Sequence, residues 1–332
     1  MRLDPDMRFR SSYAPYASTN RLRSSANSHG TGGNGQNLDH EARDIYVPDI
    51  IPEGYPNAGT AAVFLGVDMS QAEDRVTKVY TKSPRLIEIA RLRPGDGMDP
   101  HTKAASIAFE KPMDQISKYP ERYVGKRARH GGHYGMGGGK LSDELVKEGL
   151  FFTADECQIM MDRIIQEDEP EVRDWQREIR KELFQNRAHL TNSWGRTISF
   201  EGERFDDNLY HKAYAYKPQS DVGILMTQWG LVPMDAAIRA GMFRPYYVAI
   251  NQDGHDSLLI SVDPEASWAV LEFLKAALEQ PREYGGVELT IWTEACLGSS
   301  FDMETDGVEF KRLPSPSEFI DVAKAKAADV PL

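Results

Sequence analysis

Apolar and polar positions along the chain separate a few short buried strands from a larger set of amphipathic helices. The run AAVFLGVD at 61–68 is apolar up to its last residue and predicts a buried strand that ends on Asp68. Residues 70–92 place Val76, Val79, Ile87 and Ala90 at helical spacing and predict one helix. PGDGMD at 94–99 is a turn, and Asp99 before Pro100 starts a helix running to about Phe109. A basic stretch at 120–136 is closed by the glycine run GMGGG, which breaks the pattern. Helices are expected at 154–166, at 170–187 behind Pro170, at 218–230 and at 266–277. YYVAINQDGHDSLLISVD at 246–263 reads as two strands joined at Asp253-Gly254, and GVELTIWTEA at 286–295 as one more strand. Residues 1–45 are polar, and the Gly/Asn run at 30–35 reads as a flexible loop. Strands and helices are segregated and no internal repeat is visible, so the fold class is α+β.

Charge changes this picture more than bulk composition does. The 332 residues carry 39 Lys and Arg against 51 Asp and Glu, a net charge of -12, which is the wrong sign for a general nucleic-acid binder. The distribution is uneven, however. Residues 1–30 hold Arg2, Arg8, Arg10, Arg21 and Arg23 against Asp4 and Asp6, a net +3. Residues 117–140 hold Lys118, Arg122, Lys126, Arg127, Arg129 and Lys140 against Glu121, a net +5. Two local basic patches on an acidic chain suit a protein that grips phosphates in one groove. No apolar run approaches the roughly 18 residues of a membrane span, so no membrane partner is expected. The N-terminus lacks an apolar signal core, and Asp4 and Asp6 argue against a transit peptide. Cys157 and Cys296 fit no metal-ligand spacing and no disulfide framework, which favours the cytoplasm, of a host cell if the chain is viral.

Three groups of residues carry candidate chemistry. Asp68-Met69-Ser70-Gln71-Ala72-Glu73-Asp74-Arg75 sits at a strand-to-helix junction, and alone could be an acidic junction capped by Ser70. His255-Asp256-Ser257 sits by a turn, where aspartate is common for local reasons. Taken together, two carboxylates on adjacent strands can converge on hard divalent cations such as Mg²⁺. Two such metals roughly 3.5–4 Å apart clamp both oxygens of an in-line phosphoryl displacement. In the third group Arg122, Lys126, His130 and Tyr134 recur every four residues and make one stripe on a helix, able to line a triphosphate and its base. The plainer reading of that stripe is a solvated basic face. The glycines after it are not a P-loop, because Lys140 is followed by Leu141.

The motif R-x₃-K-x₇-Y-G, here Arg122, Lys126, Tyr134 and Gly135, resembles the fingers-helix motif of family A DNA polymerases, the bacterial polymerase I and bacteriophage type. DMSQAEDR resembles their palm motif D-Y-S-Q-I-E-L-R, and His255-Asp256-Ser257 their H-D-E, in the same order along the chain. Weaker likenesses extend over about residues 8–305: RSSYAPYASTNRLRSS with Gln36-Asn37 to the template–primer segment, Asp99 to Ala104 to the D-I-H-R-A segment, and Pro218-Gln219-Ser220 to M-Q-G-T. The resemblance implies a right-hand palm, an antiparallel sheet with flanking helices, plus helical fingers: palm at 1–93 and 211–332, fingers at 94–210. It implies DNA synthesis from dNTPs on a primer–template with two Mg²⁺ ions, or Mn²⁺ in their place. Asp68 and Asp256, with the Met69 carbonyl, would be the metal ligands, and Lys126 the proton donor to pyrophosphate. Gln71, Glu73, His101, Arg122, Lys126, His130 and Tyr134 would surround the dNTP, Glu73 crowding the sugar 2′ position. Arg21, Gln36, Asn37, Gln219 and His255 would contact the duplex near the primer end.

Departures from the family pattern matter as much as the matches. Ser257 stands where an acid follows the catalytic aspartate, and His130 where an aromatic precedes the tyrosine by one turn. His211 and Ala215 replace polar minor-groove residues. Gly131 and Gly132 cost roughly 1 kcal/mol each against alanine in a helix, so a kinked or mobile fingers helix is expected. The chain begins where the family's thumb would end, so a separate polypeptide carrying thumb and exonuclease is expected as a partner, and an alternative reading is a polymerase subunit active only with that partner. The competing readings are a primer–template-binding remnant without turnover and a metal-dependent nuclease; the latter leaves the Arg122–Tyr134 stripe unexplained.

Overall fold

A computed structural model describes residues 4–5, 8–14, 22–38, 43–303 and 305–331. The N-terminal segment, expected to be a flexible loop, contains strands β1 (Ser11–Ala14) and β2 (Arg23–Ala26), paired antiparallel, and a 3₁₀ turn at Gly35–Asn37. Polar side chains stabilise it, as in the Ser24 to Asn34 hydrogen bond at 2.6 Å, so apolar periodicity carried no signal. Strand β3 (Val63–Met69) runs one residue past Asp68. The helix expected over 70–92 is two helices, α1 (Ala72–Tyr80) and α2 (Pro84–Arg91). Lys82 between them is left-handed (φ 58°), and Ser83 with Pro84 restarts the helix. Helix α3 (Pro100–Phe109) begins at Asp99, whose carboxylate accepts from the Thr102 N–H at 2.9 Å. Helix α4 (Tyr123–His133) takes up the basic stretch, and α5 (Gly138–Lys147) begins inside the glycine run rather than after it.

Helices α6 (Ala154–Glu167) and α7 (Glu171–Gln185) lie where amphipathic periodicity put them, and are followed by the hairpin β4 (His189–Thr191) and β5 (Thr197–Ser199). Helix α8 (Asp207–Leu225) starts well before 218, because Pro218 lies inside it and does not open it. A π-turn at Met226–Leu231 leads to α9 (Val232–Arg239). Strands β6 (Val248–Asp253) and β7 (Ser257–Val262) form the expected hairpin, followed by α10 (Ser267–Leu278). The single strand expected at 286–295 is divided. β8 (Arg282–Tyr284) pairs with β9 (Val287–Leu289), whereas β10 (Thr293–Gly298) joins the main sheet with β11 (Val308–Phe310), before α11 (Pro316–Ala328).

Two compact units arise from this chain. The first comprises residues 1–72, 222–281 and 290–332. Its centre is an antiparallel five-stranded sheet in the order β11-β10-β3-β7-β6. Helices α10 and α11 pack against β3 and β10, burying Leu271, Leu274, Phe319 and Ala323. Strand β3 is buried on both faces from Val63 to Leu65, then alternates, with Val67 and Met69 buried and Gly66 and Asp68 partly exposed. The sheet is therefore covered on both faces at one end and open on one face at the other. The second unit comprises residues 73–221 and 282–289 and is mostly helical. Ala104, Val124, Ala128, Leu141, Leu145 and Cys157 form one of its cores. Helices α3 and α4 meet backbone to backbone, since a Cβ on Gly125 would stand 2.6 Å from the Ala105 nitrogen. Gly131 and Gly132, expected to loosen α4, both lie within it against Met136 and Ile165. Both cysteines are free thiols, and no described helix is long and apolar enough to cross a membrane.

Candidate active site

In the first unit, sheet register brings Asp68 and Asp256 together. Asp68 lies opposite Ser257, and the Met69 N–H donates to the Asp256 carbonyl at 2.8 Å. The N–H and C=O of an extended residue leave along the same edge, so the Met69 carbonyl is on the strand edge that faces Asp256. Both aspartates are partly exposed. Two carboxylates and a carbonyl, all oxygen donors, fit a hard divalent cation. The turn presenting Asp256 is wider than a two-residue turn at Asp253-Gly254. Gly254 N–H donates to the Ser257 carbonyl at 2.8 Å, His255 N–H to the Asp253 carboxylate at 3.1 Å, and His255 is the left-handed residue (φ 83°). Gln71, exposed just after β3, is also left-handed (φ 51°). Such conformations cost side-chain-bearing residues on the order of 1–3 kcal/mol and gather at functional loops.

Gln36 is engaged within this unit. Its amide oxygen accepts from the Ser24 N–H at 3.0 Å. Its amide nitrogen donates to the Leu22 and Asp253 carbonyls, both at 2.9 Å, and lies 3.4 Å from His255 Nδ1. Asn37 belongs to the 3₁₀ turn by its backbone. Its side chain, and the whole of Arg21, lie outside the described residues.

In the second unit α4 carries the four-residue stripe, while Val124 and Ala128 face its core. Arg122 stands just before the helix and forms a fork on Asp99, Nε to Oδ2 at 2.7 Å and Nη2 to Oδ1 at 3.2 Å. Burial pushes the Asp99 pKa upward, but hydrogen bonds from Arg122 and Thr102 outweigh it and hold the carboxyl well below its ordinary range. Lys126 is exposed and pairs with no carboxylate among the described residues. The His130 ring meets Tyr134 edge-on at 4.9 Å. Tyr134 closes the helix and donates its hydroxyl to Glu73 Oε2 at 2.9 Å, an oxygen that also accepts from Gln219 Nε2 at 3.4 Å. Three motif segments thus meet at one carboxylate. His101 has a buried Nδ1 with no hydrogen-bond partner among the described residues. Burial, then the charge of Arg129, lowers its pKa to about 4, so the ring is neutral near pH 7 and acts as a hydrogen-bonding group.

Sequence reasoning missed a buried ion network behind this stripe. Arg129 Nη2 donates to Asp74 Oδ1 at 2.6 Å and to Glu169 Oε1 at 2.7 Å. His133 Nε2 lies 2.5 Å from Glu169 Oε2, and Lys78 pairs with Asp74. The ligand atoms of Asp74, His133 and Glu169 come within 4.8 Å of one another, as in a metal site. A divalent cation there would face the buried Arg129 and Lys78, whose charges already balance the two carboxylates, so the cluster fits an ion network and not a metal. The available signal was the i, i+4 row Gly125, Arg129, His133, which continues the buried face of α4. Arg75, from the first motif, is buried too and donates to the Ala90 and Leu92 carbonyls at 2.5 and 2.6 Å, finishing α2.

Known proteins match this arrangement in sequence and in fold. A DNA polymerase of Bacillus phage SP01 is 30% identical over 125 residues, which is 38% of this chain and 13% of that protein. The polymerase domain of Pol1 from M. smegmatis, solved in complex with DNA primer–template and dNTP, has the same fold with a TM-score of 0.69 at 21% identity. That match covers 90% of this chain and 49% of the Pol1 chain, so the present chain spans only part of either relative. The fold agrees with the expected α+β palm and fingers. The sequence model of DNA polymerase family A matches residues 55–300, well over half of the chain. The chain belongs to that family.

Proposed function

We propose that this chain carries out template-directed DNA synthesis, transferring deoxynucleotides from dNTPs to a primer 3′-hydroxyl. The observation that carries the proposal is the strand register that sets Asp68 and Asp256 side by side on the open end of the sheet. In this reading the first unit is the palm and the second carries the fingers. Primer–template DNA and dNTPs are the partners, as in the matched Pol1 complex, and the phage relative favours a role in phage DNA replication. A location in the host cytoplasm belongs to the same proposal.

Two Mg²⁺ ions, or Mn²⁺, held by Asp68, Asp256 and the Met69 carbonyl would lower the pKa of the primer hydroxyl and neutralise phosphate charge. Lys126, without a carboxylate partner among the described residues, binds the triphosphate and gives a proton to the departing pyrophosphate. Arg122 exchanges its fork on Asp99 for phosphate oxygens, a like-for-like charge-assisted pair. Neutral His101 donates a hydrogen bond to the same group. Tyr134 and His130 border the sugar and base, and Gln71 also binds the dNTP. Gln36 acts by holding the turn that presents His255 and Asp256, while His255, Gln219, Asn37 and Arg21 meet the duplex. Growth of a labelled primer by the nucleotide complementary to the template supports this function; binding without growth, or shortening, contradicts it.

Glu73, anchored by Tyr134 and Gln219, excludes a 2′-hydroxyl by occupying its space. Glu73→Ala is expected to raise the ratio of ribonucleotide to deoxynucleotide insertion efficiency about tenfold or more, a change on the order of 1.4 kcal/mol. Single-nucleotide insertion kinetics measure the ratio, and an unchanged value would assign sugar selection to another group.

A further inference from the structure

Helices α1 and α8 are tied together at both ends of α1. At its start Glu73 accepts from Gln219, and at its end the Tyr80 hydroxyl donates to Asp221 Oδ2 at 2.6 Å. Residues two apart point to roughly opposite sides of a helix, so Gln219 and Asp221 reach the two ends of α1 from one short stretch of α8. Asp221 is fully buried. A buried carboxylate is tolerated when its oxygens are hydrogen-bonded, and two further donors come from the turn between β4 and β5. The Ser193 hydroxyl donates to Oδ2 at 2.7 Å and the Ser193 N–H to Oδ1 at 3.1 Å. The Ser193 oxygen in turn accepts from the Gly285 N–H at 2.9 Å, in the turn between β8 and β9. That turn presses on the same tyrosine, since a Cβ on Gly285 would stand 2.9 Å from the Tyr80 ring. Lys217, one turn before Asp221, lies over that ring at 5.7 Å from its centre. Four segments distant in sequence thus meet at one tyrosine, and the mechanism proposed above uses none of Tyr80, Ser193, Asp221 and Gly285.

An apolar group in place of Asp221 would fill this space without the cost of removing a carboxylate from water. What a satisfied polar network adds is one fixed arrangement of the elements it joins. Glu73 lies two turns before Tyr80 on the same face of α1, so the arrangement fixed at Tyr80 includes the helix from which Glu73 projects. We infer that the Tyr80–Asp221–Ser193 network positions Glu73 and so sets how strictly the chain rejects ribonucleotides. The inference rests on the reading of Glu73 as the group that excludes a 2′-hydroxyl, and makes Tyr80 and Ser193 positioning residues for it. Exclusion by contact depends on the place of the carboxylate to about 0.5 Å. The bonds of Glu73 to Tyr134 and Gln219 orient its side chain, whereas the bond at Tyr80 keeps α1 from turning or sliding on α8.

A double-mutant cycle on single-nucleotide insertion tests this, with a ribonucleotide and the matching deoxynucleotide given to each purified variant. Tyr80→Phe removes only the hydroxyl. It is expected to raise the ratio of ribonucleotide to deoxynucleotide efficiency about fivefold, with deoxynucleotide kcat/KM changed less than about twofold. Made in a Glu73→Ala background, the same change is expected to move the ratio less than about 1.5-fold, because the group it positions is gone. Ser193→Ala is expected to repeat both results, and carries the test if Tyr80→Phe is not folded by circular dichroism. An equal effect with and without Glu73 overturns the inference, since the network would then act through the fold at large. An unchanged ratio in Tyr80→Phe and Ser193→Ala, beside a raised one in Glu73→Ala, also overturns it and leaves the reading of Glu73 intact. An unchanged ratio in Glu73→Ala overturns that reading and the inference with it.

Discussion

Replacing Asp68 or Asp256 with alanine is expected to lower single-nucleotide insertion roughly a thousandfold, about 4 kcal/mol, while primer–template affinity changes only a few-fold. Asp68 lies on β3 and Asp256 in the turn just before the neighbouring strand β7, fixed by the Asp68–Ser257 register and by the Met69 N–H to Asp256 carbonyl bond. In the proposed mechanism their carboxylates would contribute most where charge develops during phosphoryl transfer, so their loss is expected in the chemical step. Alanine at either position leaves the ladder hydrogen bonds in place, because these are made by the backbone. Rapid-quench insertion kinetics alongside equilibrium DNA binding separate the two effects. More than a tenth of wild-type insertion in both variants would contradict the two-metal assignment.

The second large effect is on stability. Arg129→Met should cost about 3–5 kcal/mol, because it strips a buried cation from two buried carboxylates. Arg129, Asp74, Glu169 and His133 are nearly inaccessible, with side-chain exposures of 2%, 10%, 3% and 2%. Burial alone would raise the pKa values of Asp74 and Glu169, but Arg129 first, helped by His133 at both and by Lys78 at Asp74, holds both well below the ordinary carboxylate range. A depressed folded-state pKa stabilises the protein above the unfolded value, about 4, and that contribution is lost as pH falls through the folded value. In the variant, burial acts with one fewer opposing charge, so the folded pKa values rise and low pH relieves the unpaired charge. The stability gap in urea unfolding is therefore expected to be widest near pH 7 and to narrow towards pH 4. A gap that stays constant over that range would assign the cost to packing.

The parts of this molecule legible in the sequence are those where one apolar period or one cap decides. Strand β3 ending beside Asp68, the hairpin presenting Asp256, the start of α3 at Asp99 and the two helices α6 and α7 are of this kind. Pro218 misled because proline at a helix start and proline within a helix look alike without the preceding turns. The run 286–295 hid a change of partner strand, since no turn residue marks the passage from β9 to β10. The N-terminal hairpin rests on side-chain hydrogen bonds such as those of Gln36, which leave no periodicity. In the candidate site, the stripe on α4 was legible from spacing. Arg129 and His133 were not, because a charged residue reads as solvated until distant partners such as Glu169 are in place.

The most direct test of the central claim changes the template and watches the product. The purified chain is given a labelled primer annealed in turn to four templates that differ only in the first unpaired base, with all dNTPs supplied singly and Mg²⁺ present. The account predicts that the primer grows by one nucleotide and that the complementary dNTP is used on each template, with no growth when Mg²⁺ is removed by chelation. Bound but unextended primer on every template, a shortened primer, or growth by the same nucleotide whatever the template base would contradict it.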